Sequence, residues 1–497
     1  MKKIQLQYVV NETTSKNGLF QQELNFFLLV ENLAYEKKID IVWAGEDEVW
    51  QTLPAVYHSS PGLDKEYWQA RTALISDEIG KLPGNIQFAL SYGVLGEEYW
   101  DNNDSLNYHS PAKCGIQMAN HHQVLNIGFS TQLEDGQKII PLTIAVDQAL
   151  QAQKVTIHWT TDDWRHSNIT RCHLPKGNTL DPDGNDDKDR VQVWKGLLIV
   201  GHAFRLQYCI RCESADQSLW DNNFGHNYWA SRKPLKVLIL NLHCYQEKNQ
   251  DFKFSQIARA IDDLDIDIVC LQEVAERWND GEGDWKSNSA RIINERLDSP
   301  YHLHTDWSHL GFDQFREGVA VLSRYPLEKR DSRYVSNSED PFNIHARKVV
   351  MVQIAVPYIG LLNFFSCHLS WWEDGFEEQF ENLREWAASK HTWHVKGTLL
   401  CGDFNIRAGS RGYELVVDSN RYTDQFLAVS SPQVYKKIFD DKRPHWQRYL
   451  NDDHRIDYIF LKKPSDLKVT SGRVLFTAQD YGTVSDHSGY LMTFEPK

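Results

Sequence analysis

The chain has 497 residues, 41% of them hydrophobic and 24% charged, the make-up of a globular protein of roughly three domains. A net charge of −15 with no visible basic stripe weighs against nucleic acid as a partner, although a metal at a site could supply the missing positive charge. No apolar run approaches the ~18 residues of a membrane span. The opening MKKIQLQY has no clean apolar core and no small-residue cleavage site, so a cytoplasmic location is expected. Eight cysteines are scattered, several inside apparent strands (Cys209, Cys270, Cys367, Cys401), which suits buried thiols better than a disulfide framework.

The first half repeats itself. Trp100-Asp101-Asn102-Asn103 with Asn107-Tyr108 recurs as Trp220-Asp221-Asn222-Asn223 with Asn227-Tyr228, an offset of 220 − 100 = 120 residues. Upstream, VENLAYEKKIDIVW (30–43) aligns without gaps on VDQALQAQKVTIHW (146–159). Each is followed by an acidic turn and a further tryptophan, Trp50 and Trp164. Two matches in the same order make an internal repeat. Residues 39–43 and 155–159 are β-branched and aromatic-rich. Residues 86–90 and 204–208 alternate with period two. Two all-β sandwiches are expected, 1–112 and 113–232.

On these residues the first half resembles the starch-binding modules of carbohydrate-binding family 21. The first copy keeps Asn32-Leu33-Ala34-Tyr35-Glu36-Lys37-Lys38, where the second has Gln148-Ala149-Leu150-Gln151-Ala152-Gln153. The resemblance implies a glucan ligand, met by Trp50, Trp100 and Asn103 in the first copy and Trp164, Trp220 and Asn223 in the second. Flat aromatic faces stack on sugar rings and amides bond hydroxyls. The competing expectation is that the tryptophans are core and the asparagines pin the last strand.

After Pro234 strands alternate with helices. Strands are expected over 235–240, 266–271, 318–323, 349–356, 361–367 and 455–460. Helix faces are marked by Ile257, Ile261 and Leu264, and by Phe376, Phe380 and Leu383. In 399–407 an apolar strand meets Gly402, which frees the backbone to turn. Asp403 and Asn405 then lie two residues apart and point the same way. Such a pair could hold a water and a phosphoryl oxygen together, or simply make an Asx turn. Each strand ends in a polar residue, where open α/β sheets place their sites.

The order Asn241, Gln272-Glu273, His368, Gly402-Asp403-x-Asn405, Asp457, Ser485-Asp486-His487 resembles the endonuclease/exonuclease/phosphatase superfamily over about 235–497. The resemblance implies an α/β fold of two packed sheets flanked by helices, in a catalytic domain over 233–497. It implies Mg²⁺, with Mn²⁺ as the alternative, on Glu273, Asn241 and Asp486. Asp403 and Asn405 would position the attacking water and the phosphate, His487 would contact the phosphoryl group, and Asp457 would orient it. His368 would stand toward the leaving group, with acid and base left open between the two histidines. His243 stands where some members have an acid, which makes a second metal less expected.

Superfamily membership does not choose the ester. The run Asp453-His454-Arg455-Ile456-Asp457 lacks the Cys-Asp-Arg pattern of inositol 5-phosphatases. Trp371 and Trp372, just after His368, could stack on a sugar, and Arg407 joins them as a substrate-binding candidate. The layout resembles bacterial enzymes that dephosphorylate maltose 6′-phosphate, so the expected substrate is a phosphorylated disaccharide or glucan. The alternatives are a phosphodiesterase (nuclease or sphingomyelinase-like) and a glucan-binding scaffold without catalysis.

Overall fold

The computed structural model describes residues 2–112, 114–175, 191–418, 420–429 and 455–497, so Asp453 and His454 lie outside the described residues. The chain forms two compact units, Met1–Lys233 and Pro234–Lys497.

The first unit is built of β-sandwiches, and its described helical turns are all short 3-10 turns. One sheet runs Gly115–Met118, Ile4–Lys16, Leu19–Glu31, Lys65–Ser76, Val56–Ser59. It faces a sheet of Gln51–Pro54, Lys37–Ala44, Ile86–Val94 and Glu97–Asp101 across a core that includes Phe26, Ile41 and Phe88. The first sandwich thus takes a strand from beyond residue 112, because Gly115–Met118 pairs with residues 8–11 along an otherwise open edge. The second copy pairs Val124–Ile127, Ile139–Asp147 and Val191–Ile199 in one sheet. Its other sheet carries Lys154–Thr160 and Arg205–Glu213.

The strand Leu19–Glu31 is buried from Leu24 to Val30 without alternation. Leu24, Phe26, Leu28 and Val30 enter the first core, whereas Phe27 and Leu29 turn the other way with Tyr8 and Tyr67 and join the second core. Phe27 lies 5.1 Å from both Tyr8 and Tyr67 and 5.6 Å from Phe129. A sheet covered on both faces favours apolar side chains in both directions, which explains the continuous run, with the buried Asn25 as its one polar member.

The repeated Trp-Asp-Asn-Asn motif folds into the same turn twice. Tyr108 Oη donates to Asp101 Oδ2 and Tyr228 Oη to Asp221 Oδ2, each at 2.8 Å. Asn103 Nδ2 donates to the Asn107 carbonyl at 3.0 Å, and Asn223 Nδ2 to the Asn227 carbonyl at 2.9 Å. Asn103, Asn107, Asn223 and Asn227 all have positive φ, between 52° and 58°. Asparagine tolerates that region better than other non-glycine residues, which accounts for the residue type at these positions. Asn223 is buried and also accepts from Tyr67 Oη at 2.9 Å, tying the two sandwiches together. The tryptophans behave differently. Trp50, Trp100, Trp164 and Trp220 are 46%, 49%, 37% and 50% exposed, so they are surface and not core.

The second unit packs two six-stranded sheets. The first runs His302–Gly311, Phe315–Ser323, Ile268–Arg277, Leu235–Asn241, Gly489–Pro496, Leu467–Leu475. The second runs Leu327–Tyr334, Lys348–Val356, Gly360–His368, Val395–Asp403, Asp457–Lys462, Tyr422–Asp424. The helix Gln250–Asp263 buries Ile257 and Ile261 against the first sheet, and Phe376–Lys390 buries Phe376, Phe380 and Leu383 against the second.

Phe27→Ala would leave a cavity between the two sandwiches and should lower the stability of the first unit by about 3–5 kcal/mol. Urea denaturation followed by tryptophan fluorescence measures this, and a loss below about 1 kcal/mol would contradict the shared core.

Candidate active site

Strand ends from both sheets meet at one end of the second unit. Leu235–Asn241 and Ile268–Arg277 run parallel with Asn241 level with Gln272. Gly360–His368 and Val395–Asp403 run parallel with His368 level with Asp403, and Asp457 lies opposite Asp403 in antiparallel register. Polar groups stitch the sheets together there. Gln272 Nε2 donates to Ser366 Oγ at 3.0 Å, and Ser366 Oγ donates to the Leu271 carbonyl at 3.0 Å. Gly402 has φ +134°, and an added Cβ would sit 2.2 Å from the Cys367 carbonyl oxygen. Cys367 is on the neighbouring strand of the same sheet, and the added Cβ would also sit 2.7 Å from Gln272 Nε2 of the other sheet, so glycine is what allows both approaches.

The strand expected to end at Gln272-Glu273 instead continues to Arg277. Its register breaks between Leu271 and Val274, and Glu273 takes φ +49°. Bulges of this kind re-aim a side chain. Here Glu273 Oε1 comes to accept from Asn241 Nδ2 at 3.0 Å. Asn405, at φ +51°, is a second non-glycine residue held in the left-handed region beside the site.

Asp403 is the hub. It is fully buried, and its Oδ2 lies 3.1 Å from Asn241 Nδ2 and 3.8 Å from the Nε2 atoms of both His368 and His487. Its Oδ1 accepts the Asn405 backbone N–H at 2.8 Å. Burial, then the neighbouring Asp457, pushes the Asp403 carboxyl up to about 7, against the pull of His487, the Asn405 N–H and Asn241.

The two histidines differ. His487 Nδ1 is 2.8 Å from Asp457 Oδ2. Burial alone would lower its pKa, but the Asp457 carboxylate and its hydrogen bond, with Asp403, raise it well above the usual histidine value. Asp457 Oδ1 is buried without a hydrogen-bond partner. His368 Nδ1 accepts from Arg347 Nη1 at 3.4 Å, which leaves the ring proton on Nε2. Burial, then the Arg347 charge, holds His368 neutral, well below the usual value. Around it stand three groups not expected from sequence, Arg347, Glu317 and His309. Glu317 is buried, with Oε1 4.0 Å from His368 Nδ1 and 3.5 Å from His309 Nε2. Burial and then Glu273 push its carboxyl up to about 8.

Asn405 braces the turn, its Nδ2 donating to the Leu369 carbonyl at 2.8 Å. Asp486 keeps different company from Glu273. Its Oδ1 is 3.5 Å from His243 Nδ1, which is 2.7 Å from Glu247 Oε1. Asn241 links the two groups, since its Oδ1 accepts the His243 backbone N–H at 3.0 Å. Trp372 packs at the rim of the second sheet's core, with the Arg411 guanidinium 4.6 Å from its ring. Trp371 and Arg407 are half-buried on the loops after His368 and Asn405.

The residues fit a hard divalent cation. Such a cation prefers oxygen donors, and the Glu273 carboxylate reaches Asn241 directly while the Asp486 carboxylate stands 3.5 Å from His243, whose backbone N–H donates to Asn241 Oδ1. Asp403, Asp457 and His487 also form a compact set of ligand-type side chains, as do His243, Glu247 and Asp486.

Comparison with known proteins finds two family matches along the chain. Residues 240–487 match the Endonuclease/Exonuclease/phosphatase family, and residues 3–110 and 122–231 match the Carbohydrate/starch-binding module of family 21. The uncharacterized protein YbhP of Escherichia coli K12 is 29% identical over 180 residues, 34% of this chain. The match spans 66% of that relative's own length, just under two thirds. Glucoamylase 1 of Rhizopus oryzae is 33% identical over 87 residues, 16% of this chain and 13% of the relative. Among solved structures, an endonuclease/exonuclease/phosphatase family protein from Leptotrichia buccalis is 28% identical with a TM-score of 0.46, covering 52% of this chain and 99% of its own. A mannosyl-6-phosphatase from Bacteroides thetaiotaomicron is 15% identical with a TM-score of 0.38, covering 52% and 99%.

The Asp403 geometry predicts a pH effect. Its pKa rises from 3.8 to about 7 on folding, so its contribution to stability is full below pH 3.8 and is lost as pH climbs through 7. In chelator-treated protein the wild-type melting temperature should therefore fall across that window relative to Asp403→Asn, whose side chain does not titrate. Parallel pH profiles for the two proteins would contradict it.

Proposed function

From a chain that joins two family 21 carbohydrate-binding modules to a domain of the endonuclease/exonuclease/phosphatase family, we propose a metal-dependent phosphomonoesterase acting on a sugar phosphate, maltose 6′-phosphate, to give maltose and phosphate. The observation that carries this reading is the gap around Asp403. Two imidazole Nε2 atoms stop 3.8 Å from the same buried oxygen, beyond direct hydrogen bonding and within reach of an oxygen placed between them.

The chemistry follows from the charge states. Asp403, poised near neutrality, accepts the proton of the attacking water. His487, cationic through Asp457, donates from Nε2 to a phosphoryl oxygen where charge gathers in the transition state. His368, neutral with its proton on Nε2, donates a second hydrogen bond to the sugar oxygen, which leaves as the P–O bond breaks and takes up a proton from water to become the free hydroxyl. Asn405 holds the turn that aims Asp403 through its backbone N–H. Glu273, Asn241 and Asp486 would hold Mg²⁺ or Mn²⁺, which supplies positive charge against the transferring phosphoryl group.

Net charge supports a small ester over a polyanion, whose binding relies on Lys and Arg neutralising successive phosphates. The exposed Trp50, Trp100, Trp164 and Trp220 suit stacking on glucose rings, and Tyr35 is 99% exposed beside the first set in sequence.

Purified protein with Mg²⁺ should release phosphate from maltose 6′-phosphate much faster than from glucose 6-phosphate, and chelation should abolish both reactions. Glu273→Gln should lower turnover by orders of magnitude while leaving the fold intact, because an amide is a poor substitute for the carboxylate ligand. Cleavage of plasmid DNA or sphingomyelin, with no phosphate released from maltose 6′-phosphate, would refute the reading in favour of a diesterase. Separately, Trp50→Ala should weaken retention on a maltodextrin matrix. Unchanged retention would remove that residue from any sugar site.

A further inference from the structure

We propose that the cleft bounded by Tyr245, Trp278 and Phe315 is the subsite for the sugar ring beyond the phosphorylated one. This deepens the reading above and rests on it. The strand Ile268–Arg277 outruns its parallel neighbour, which ends at Asn241 level with Gln272. From Val274 to Arg277 it continues as a ribbon paired with residues 315–318. Glu273 stands at the root of this ribbon and Arg277 at its tip. Four residues of extended chain separate them by roughly 13 Å. That is about the reach of a phosphate followed by two linked pyranose rings.

At the tip lies a cleft of about 800 Å³. Its size is within the range of ligand pockets, and its lining mixes aromatic rings with a few polar groups. The Trp278 ring meets Trp307 at 5.8 Å and Phe342 at 5.8 Å, both edge-to-face. The Tyr245 ring lies 5.2 Å from Phe315. Arg316 backs Trp307 at 4.9 Å. These contacts fix the rings before any ligand arrives, so presenting them costs little on binding. Arg277, Asn279 and Lys286 offer donors and Asp284 an acceptor at the same cleft. Aromatic faces for the C–H side of a pyranose, with donors and an acceptor for its hydroxyls, are the groups a neutral sugar needs.

The loop beneath is closed on itself. Asn279 Nδ2 donates to the Gly283 carbonyl at 3.0 Å, the Arg277 N–H donates to Ser287 Oγ at 2.8 Å, and the Tyr245 hydroxyl donates to the Ser287 carbonyl. The hydrolytic chemistry uses none of these residues. Trp372, in contrast, already has the Arg411 guanidinium over its ring.

The test compares steady-state kinetics of full-length wild type, Trp278→Ala and Trp278→Phe with Mg²⁺ on maltose 6′-phosphate and glucose 6-phosphate. Trp278→Ala should raise KM for the disaccharide ester about tenfold with kcat within twofold, the size expected for one lost stacking contact. Its constants for glucose 6-phosphate should stay at wild-type values, which also reports an intact fold, and Trp278→Phe should regain most of the selectivity. Equal losses on both esters, or selectivity unchanged in Trp278→Ala, would overturn the subsite alone. A wild type that does not prefer the disaccharide ester would overturn the substrate reading, and the subsite with it.

Discussion

A carboxylate sealed into the seam between two sheets governs this site. An ionised group deprived of water is costly unless other groups answer it. Asp403 is answered by one amide, one backbone N–H and two imidazoles that hold off at 3.8 Å. Those imidazoles are the same residue type at the same distance from the same oxygen, yet they carry different charge. The difference lies at their far nitrogens. His487 meets a carboxylate there and His368 meets a guanidinium. One domain therefore holds a cationic and a neutral donor side by side without any change of side chain.

The fold serves that seam. Parallel strand pairs in each sheet bring polar residues to a common end, and Gly402 allows the approach that a side chain would block. The bulge at Glu273 spends regular pairing to turn one carboxylate toward Asn241.

Much of this was legible in the sequence because the relevant residues sit where apolar runs stop. Asn241, His368 and Asp403 each mark such a stop, whereas Asp457 opens its strand, and periodicity placed these strands to within a few residues. Glu317, Arg347 and His309 were not legible. Glu317 and Arg347 lie at or near the start of a strand and His309 near the end of one, with nothing unusual beside them in sequence, and their roles arise from partners on other strands. The continuation of the Glu273 strand was missed for a related reason, since a bulge leaves no mark in apolar periodicity. The tryptophan-asparagine repeat was read as a unit, but its parts divide. The asparagines are committed to backbone geometry, while the tryptophans stay on the surface. Residue type alone could not separate those tasks.

The double-faced sheet of the first unit bears on how the chain comes into being. The first sandwich is synthesised ahead of its neighbour, with Phe27 and Tyr67 directed outward from its own core. Phe129 and Tyr228, which cover them, follow later, and Tyr228 belongs to the last strand of the second copy. Until that strand leaves the ribosome the nascent protein displays an aromatic sheet face to its surroundings, a surface of the kind that chaperones shield. The two copies look like interchangeable beads in sequence, yet they mature as one object.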